Sequence, residues 1–576
     1  MRTILAKLLA YKRYIFFALV FLFLAAICDL MLPNLMARIV DKGIATHNTS
    51  LIITVGLEML GISLASALCS IAANYLSSKV SMSFGRDLRS ESFRKITHFS
   101  LHEIDKIGTS SLITRNTNDI QQMQMFSMFM MRMMVSTPLH MIGGIIMAVS
   151  KDATLSLVLV AVLPILTLLV IINIKWVTPL FKTMQEKLDK VNRVIREILT
   201  GVRVIRAFNR IDQEHERFNN ANIELTGNSL RAFRRMATLQ PFTMMAMNAG
   251  ILAIIYFGSV RVEYGHMNTG DLMAFIQYAT QILFSLMAGT MMFTMLPRAA
   301  VSAKRISEVL SMEPDVKDPA VPKSPAESIR GYIRFDNVTF RYPGAEEPVL
   351  SNISFEAKPG ETVAIIGSTG SGKSTLINLV PRFYDIESGA IYIDGVDIRE
   401  MSQADLRNRI GYVPQKALLF TGSVSDNIRY GNNDATDDEV RWAAKIAQAD
   451  GFISEMEEGY DSYISQEATN ISGGQKQRIS IARALVKKPE IYIFDDSFSA
   501  LDFKTDSMLR AALKPYTRNS TVLIVAQRVS TVLNADKIIV LDEGKMVGIG
   551  THKELMSSCK VYHEIVTSQL SEEELA

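Results

Sequence analysis

Residues Gly367-Ser-Thr-Gly-Ser-Gly-Lys-Ser-Thr375 fit the pattern G-x-x-x-x-G-K-[ST] of a phosphate-binding loop. Before them runs Thr362-Val-Ala-Ile-Ile366, an apolar stretch suited to a buried strand, and after them Leu376-Ile-Asn-Leu-Val380 continues as a helix. The glycines let the backbone curl so that its N–H groups and the helix N-terminus face an anion. The expected loop comprises Gly367, Ser368, Thr369, Gly370, Ser371, Gly372, Lys373, Ser374 and Thr375. Lys373 would reach the β- and γ-phosphates, and the Ser374 hydroxyl would ligate Mg²⁺. A chance glycine-rich match has odds of roughly a few per cent at average composition. The strand before and the helix after lower those odds further. The stretch reads as a site for a nucleoside triphosphate.

A chain of 576 residues is long enough for several domains. Its net charge of +3 is too small to suggest nucleic acid or an acidic partner. Hydrophobic residues make up 48%, and the long apolar runs all lie in the first half. Cys28, Cys69 and Cys559 are far apart, with neither metal spacing nor a disulfide framework, and read as packing residues. Residues 14 to 27 have the apolar character of a signal peptide behind Lys12 and Arg13. The run continues past Asp29 and Pro33 to about Val40 without a small-residue cleavage site, so it reads as an uncleaved first span.

Residues 1 to 13 place Ile4, Leu5, Leu8 and Leu9 on one helical face, which suits a helix lying at the membrane surface. Six stretches are long and apolar enough to span, near 14–41, 51–80, 125–149, 153–176, 240–260 and 271–296. The segments between them alternate. Those around 47–50, 150–151 and 261–270 are short, whereas 81–120 and 177–236 are long, polar and basic. By the positive-inside rule the long segments and both termini are cytoplasmic, in a multi-pass protein of the cell membrane. Helical periodicity persists in the long segments, as in Leu188, Val191, Val194, Ile195 and Ile198, so the spanning helices are expected to project beyond the bilayer. At the far ends of the projections, residues 108–115 and 201–208 each join a turn signal to a short amphipathic stretch that can dock onto another domain. Four prolines between 311 and 328 mark a linker. The expected domains are a membrane domain over 1–310, the linker 311–328 and a nucleotide-binding domain over 329–576.

Ile491-Tyr-Ile-Phe-Asp-Asp496 is an apolar strand ending in two acids, of which Asp495 would hold the Mg²⁺ hydration shell. Ile471-Ser-Gly-Gly-Gln-Lys-Gln-Arg478 leads into a helix that Ser472 can cap, and Gly473 and Gly474 allow close approach to an anion. Alone, Ser-Gly-Gly-Gln is a weak pattern; 23 residues ahead of Asp495 it is specific.

With these motifs in place, nearly the whole chain resembles a half-transporter of the ABC exporter superfamily. The fold this implies is a membrane bundle of six transmembrane helices with long cytoplasmic extensions, fused to an α/β P-loop ATPase domain of ABC type. The resemblance further implies that Tyr342 stacks on adenine and that Gln415 senses Mg²⁺ and water. Ser499-Ala-Leu-Asp502 matches the D-loop, and 108–115 and 201–208 match the coupling helices. It also implies that Ser472, Gly473, Gly474 and Gln475 cap ATP held by the opposite subunit, so that two chains close on two ATP molecules.

Two positions depart from the family pattern. The catalytic glutamate is replaced by Asp496, and the switch histidine by Gln527 in Val525-Ala-Gln-Arg528. Aspartate is one methylene shorter, which draws its carboxylate back from an attacking water. Glutamine can hydrogen-bond a γ-phosphate but cannot carry a proton. Loss of a general base costs on the order of 10²–10⁴ in rate. Such a chain resembles the impaired subunit of an asymmetric heterodimeric multidrug exporter, its partner supplying the full glutamate and histidine.

In the membrane half, Asp29 and Arg132 are ionisable residues within or near spans, where such groups normally face the bundle interior. They are the candidate substrate contacts, beside the alternative of structural hydrogen bonds; Asp41 is a candidate for an external gate. Methionines crowd the third span at 123, 125, 128, 130, 131, 133 and 134, with Met244, Met245, Met247, Met291, Met292 and Met295 later. They suit an adaptable apolar cavity as well as ordinary packing or lipid contact. The resulting expectation is ATP-driven efflux of hydrophobic or amphipathic small molecules, with membrane lipid and a second half-transporter as partners. A lipid or peptide exporter, or a regulatory ATP-binding subunit that carries no substrate itself, is the alternative.

Overall fold

The structure, a computed structural model, describes residues 1–325 and 330–569, with the side chains at 173–174, 239–240 and 290–294 outside the description. Met291, Met292, the end of the expected linker and residues 570–576 therefore lie outside the described side chains or residues. The chain divides into two compact units: Met1–Thr97 with Ser110–Met312, and His98–Thr109 with Glu313–Ala576.

Among the described residues, six helices are long and apolar enough to cross a bilayer: Arg2–Ile44, Thr49–Thr97, Thr109–Lys151, Ser156–Thr200, Ile211–Glu263 and Thr269–Gly289, the last continuing to Ser311. Five of the expected spans fall inside one of them, the sixth span by way of that continuation, and the expected 153–176 begins three residues before its helix at Ser156. A bilayer core needs about 20 helical residues at 1.5 Å each. Helices of 49 and 53 residues must therefore run well past it. Lipid cannot satisfy backbone groups, and an unbroken helix satisfies its own. Pro33, Pro138, Pro164, Pro179, Pro241 and Pro297 sit inside these helices, tolerated as membrane helices tolerate them.

The extensions carry their own core. Val80, Phe84 and Leu88 of the second helix meet Ile120, Met123, Phe126 and Met131 of the third, and Ala299, Ala303 and Ile306 of the sixth. Ile4 and Leu8 of the N-terminal segment join this cluster, while Leu9 turns outward. The methionines accordingly divide. Met123 and Met131 are packed, and Met125, Met134, Met244 and Met245 are exposed. Only 11% of the apolar window of the second helix is buried within the chain, so its remaining surface is one that lipid or another chain must cover.

In the second unit, a six-stranded sheet runs in the order Lys545–Gly550, Lys537–Asp542, Thr362–Gly367, Thr521–Val525, Ile491–Asp495, Ile410–Val413. All but the first strand are parallel, and Thr362–Gly367 lies between two parallel neighbours. Side chains alternate faces along a strand. Val363 and Ile365 thus enter one core, and Ala364 and Ile366 enter the other. Both faces being covered explains the continuous apolar runs in sequence. An antiparallel four-stranded sheet, Leu350–Ala357, Ile333–Phe340, Ser388–Ile393 and Val396–Asp397, completes the unit.

The segment that groups with the nucleotide-binding unit differs from the expected 108–115. It is His98–Thr109, centred on the helix Leu101–Ile107, whereas Thr109–Thr114 begins the third long helix. The physical reason is a capping box: the Ser100 N–H donates to Glu103 Oε2 at 2.7 Å and starts the short helix. Gly108, at φ +82°, ends that helix, and the third long helix starts directly after it at Thr109. Glu103 Oε1 also accepts the Asp315 N–H at 3.0 Å, and Tyr384 donates to Asp105 at 3.5 Å. Burial, with the charge of Asp105 adding to it, pushes the Tyr384 hydroxyl up to about 12.

Burial opposes ionisation of Glu103, but the hydrogen bonds from Ser100 and the Asp315 N–H outweigh it and hold the carboxyl below its usual range. A depressed folded-state value gives stability that is present above the unfolded value and lost as pH falls through the folded one. Glu103→Ala should cost about 1–2 kcal/mol of local stability. Protection of the 98–109 amides against hydrogen exchange, taken relative to the intrinsic rate at each pH, should fall at neutral pH in the variant, and in the wild type only on acidification.

Candidate nucleotide site

The phosphate loop leaves the C-terminal end of a central parallel strand, where open α/β sheets bind ligands. Gly372 turns the chain into the helix Lys373–Leu379 at φ +95°. That left-handed conformation favours glycine, and a Cβ there would also press on the end of the Leu350 side chain at 2.7 Å. Lys373 is buried; its Nζ donates to the Gly367 and Ser368 carbonyls at 2.9 and 2.7 Å. Burial lowers its pKa, opposed by the charges of Asp496 and then Asp495.

The loop meets the acidic strand as expected. Ser374 Oγ donates to Asp495 Oδ1 at 2.9 Å, bringing together the two groups read as Mg²⁺ ligands. The Asp495 carboxyl is raised chiefly by burial, partly offset by the Ser374 hydrogen bond. The Ser371 hydroxyl is buried with no hydrogen-bond partner among the described residues, a polar atom that a bound phosphate would satisfy. A buried cation, a buried unpaired hydroxyl and a hydroxyl–carboxylate pair at the end of one strand fit a Mg²⁺-nucleotide. Tyr342 lies beside the loop, its hydroxyl 3.0 Å from Thr375 Oγ1 and its ring edge-on to Tyr384 at 5.3 Å.

Asp496 follows Asp495 directly but points elsewhere. Its backbone takes a left-handed φ of +47°, rare outside glycine, and its N–H donates to the Val525 carbonyl at 3.0 Å. Its Oδ2 accepts from Gln527 Nε2 at 2.7 Å and from Gln415 Nε2 at 3.2 Å. The two positions that depart from the family pattern are thus bonded to each other, and the glutamine at 415 closes on the same oxygen. The sequence reading identified all three residues but not this amide clamp, for which there is no local signal: 81 and 31 positions separate Asp496 from its partners.

Asp502 has a structural task. Its two carboxylate oxygens accept from Thr505 N at 2.9 Å and Thr505 Oγ1 at 2.7 Å, capping the helix Phe503–Leu513 and holding the carboxyl below its usual range. Ser472 and Gln475 form a capping box at the start of Gly473–Val486. At Gly473 an added Cβ would meet nothing within 4 Å, whereas Gly474 stands against the Ala500 carbonyl at 3.4 Å. No packing inside this chain requires glycine at 473.

In the membrane unit, Asp29 is hydrogen-bonded to Ser66 and His140, neither of which was singled out from sequence. Arg132 is exposed and has no hydrogen bond or ion pair among the described residues. Asp41 Oδ1 accepts from the Gly270 N–H at 2.6 Å, joining the first helix to the start of the sixth. Lys151 bridges Asn34 at 2.6 Å and Asp271 at 2.7 Å nearby.

Two family models match this chain: the ABC transporter transmembrane region over residues 15–286, and the ABC transporter nucleotide-binding family, described simply as ABC transporter, over 350–499. The chain belongs to the ABC transporter family. It is 42% identical to an uncharacterized ABC transporter ATP-binding protein of Mycobacterium tuberculosis, over 97% of this chain and 96% of that one. An ATP-dependent lipid A-core flippase of Chromobacterium violaceum is 29% identical over 99% and 97% of the two chains. The solved structure of a bacterial Atm1-family ABC exporter with ATP bound superposes with a TM-score of 0.80 at 26% identity, covering 97% and 99%. The chain is thus an exporter-type half-transporter, a membrane domain fused to an ATP-binding domain.

Lys373→Ala removes a charge-assisted hydrogen-bond donor from the loop. Binding of a fluorescent ATP analogue to the purified chain should weaken by about 10- to 100-fold. Unchanged affinity would remove the loop from the nucleotide site.

Proposed function

We propose that this chain is one half of a heterodimeric, ATP-driven exporter of hydrophobic or amphipathic compounds, and that its own ATP site hydrolyses slowly. The observation that carries the reading is the clamp on Asp496. A general base must reach the water whose proton it takes. Here the carboxylate is one methylene short, leaves the strand through a left-handed turn, and is held at one oxygen by two neutral amides. Gln527 occupies the switch position but supplies no titratable nitrogen.

Lys373, Ser374, Asp495, Gln415 and Tyr342 would hold Mg²⁺-ATP, whose hydrolysis supplies the driving free energy. Ser472 to Gln475 would cap the nucleotide of the partner, whose site carries glutamate and histidine. The open surface over Gly473 supports an approach from outside the chain. The exposed side chains of Val204 and Phe208 support a docking role for 201–208, and the helix Leu101–Ile107 takes the role expected of 108–115. The basic long segments put both termini in the cytoplasm.

For the cargo, a hollow of about 680 Å³ between the third, fourth and sixth helices is walled by Pro138, Met141, Ile171 and Leu286, with Lys175 among its lining residues. Its apolar walls favour amphipathic molecules. That a relative is named a lipid A-core flippase keeps lipid among the cargo classes.

The paired change Asp496→Glu with Gln527→His should raise ATP turnover of the chain purified without a partner by roughly 10². Fast turnover by the unaltered, verified homodimer would defeat the reading. In the assembled heterodimer at saturating ATP, Ser472→Ala should lower turnover by roughly 10²–10³, the loss expected for one preorganised donor. Lys373→Ala should leave part of the turnover. The reverse ranking would place the competent site in this chain.

A further inference from the structure

We infer that Asp29, His140 and Ser66 form an intramembrane site that holds one proton and exchanges it for the cationic group of an amphipathic ligand. Three helices bring the residues together. Ser66 Oγ, on the second helix, donates to Asp29 Oδ1 on the first at 2.6 Å. His140 Nε2, on the third, lies 3.3 Å from Asp29 Oδ2.

The other ring nitrogen decides the protonation. His140 Nδ1 is 2.8 Å from the Ser136 carbonyl, with the Ser136 hydroxyl at 3.2 Å. A carbonyl oxygen only accepts, and we assign the Nδ1 hydrogen to it, the Ser136 hydroxyl being the more distant neighbour. With Nδ1 protonated, a neutral ring presents the Nε2 lone pair to Asp29. A bare lone pair facing a bare carboxylate makes no hydrogen bond. The contact therefore contains one proton between Nε2 and Oδ2, as imidazolium with carboxylate or as neutral ring with neutral acid. Either way the pair is electrically neutral.

Removing that proton leaves a net negative charge within a span, which is costly unless something replaces it. A monovalent cation at Asp29 does so. His140 Nε2 releases its proton to water, the ligand's positive group takes its place against the carboxylate, and the charge of the site is unchanged. Among the described residues no fixed cation is paired with Asp29. The other titratable groups facing the first helix here are Cys28 beside Asp29, Cys69 from the second helix and Tyr278 from the sixth, which donates to the Leu30 carbonyl at 2.9 Å. None of them carries positive charge. Within the chain alone, 38% of the Asp29 side chain is left uncovered, against 17% for His140.

This inference rests on the exporter reading only in treating the ligand as cargo; the exchange itself is a binding reaction. It is tested with the full chain in lipid nanodiscs, using tetraphenylphosphonium as the cation and triphenylphosphine oxide as the neutral probe. Over roughly pH 5 to 8, the range in which histidine titrates, cation affinity should weaken by up to about tenfold for each unit of acidification. In weak buffer, one proton should appear for each cation bound, and binding of the neutral probe should not depend on pH. Asp29→Asn should abolish cation binding and spare the neutral probe. His140→Gln should keep cation binding but remove its pH dependence and the proton release. Cation binding by the wild type without proton release, or no cation binding at any pH, overturns the proposal. If either variant fails to fold, the wild-type proton count decides. Absence of ATP-driven cation movement in proteoliposomes would count against the cargo reading and leave the binding result standing.

Discussion

Asp495 and Asp496 leave the end of one buried strand side by side, and the chemistry of the nucleotide site depends on how their two charges are separated. Asp495 continues the strand and meets the Ser374 hydroxyl, on the side of Lys373. Asp496, on a left-handed backbone and likewise close enough for its charge to act on Lys373, is received by the amides of Gln415 and Gln527. Neighbouring carboxylates in a poorly solvated place repel and resist ionising together. One hydroxyl with a lysine nearby, and two amides, solve that problem differently on either side. The first arrangement suits a metal ligand, the second restrains a base.

The same economy of charge governs the membrane unit. A helix satisfies its own backbone, so in a span the side chains alone pose an electrostatic problem. Asp29 meets Ser66 and His140, Asp152 meets Arg261, and Lys151 meets Asn34 and Asp271. Each pairing joins residues from different helices or from a helix and its neighbouring turn. Each therefore restricts how those helices can slide as well as neutralising a charge. Arg132, exposed and without a partner among the described residues, stands apart from this pattern.

Much of this protein is legible in one dimension because its physics is local or periodic. An apolar run long enough to cross a bilayer admits few readings, and each of the six expected spans overlaps a long helix. The phosphate loop declares itself because its glycines, lysine and hydroxyl must be consecutive to wrap one anion. The capping serine and glutamine at 472 and 475 follow from a spacing of three. The neighbourhood of Gly108 shows the limit of such reading. The glycine marks a boundary in sequence, but helices lie on both sides of it, and it is the Ser100–Glu103 box that starts the short one before it.

The sequence by itself determined the class of fold, the nucleotide loop, the acidic strand and the two unusual residues at 496 and 527. Tertiary structure alone decided what those residues do to one another. Gln415, Asp496 and Gln527 converge only because the parallel register sets Val525 opposite Asp495, and each glutamine follows a strand of the same sheet. Asp29 acquired its histidine in the same way, from a helix 111 positions further along the chain. Spacing encodes neighbours along a helix or a loop. Neighbours between elements are fixed by packing, and one sequence read alone carries no period that reveals them.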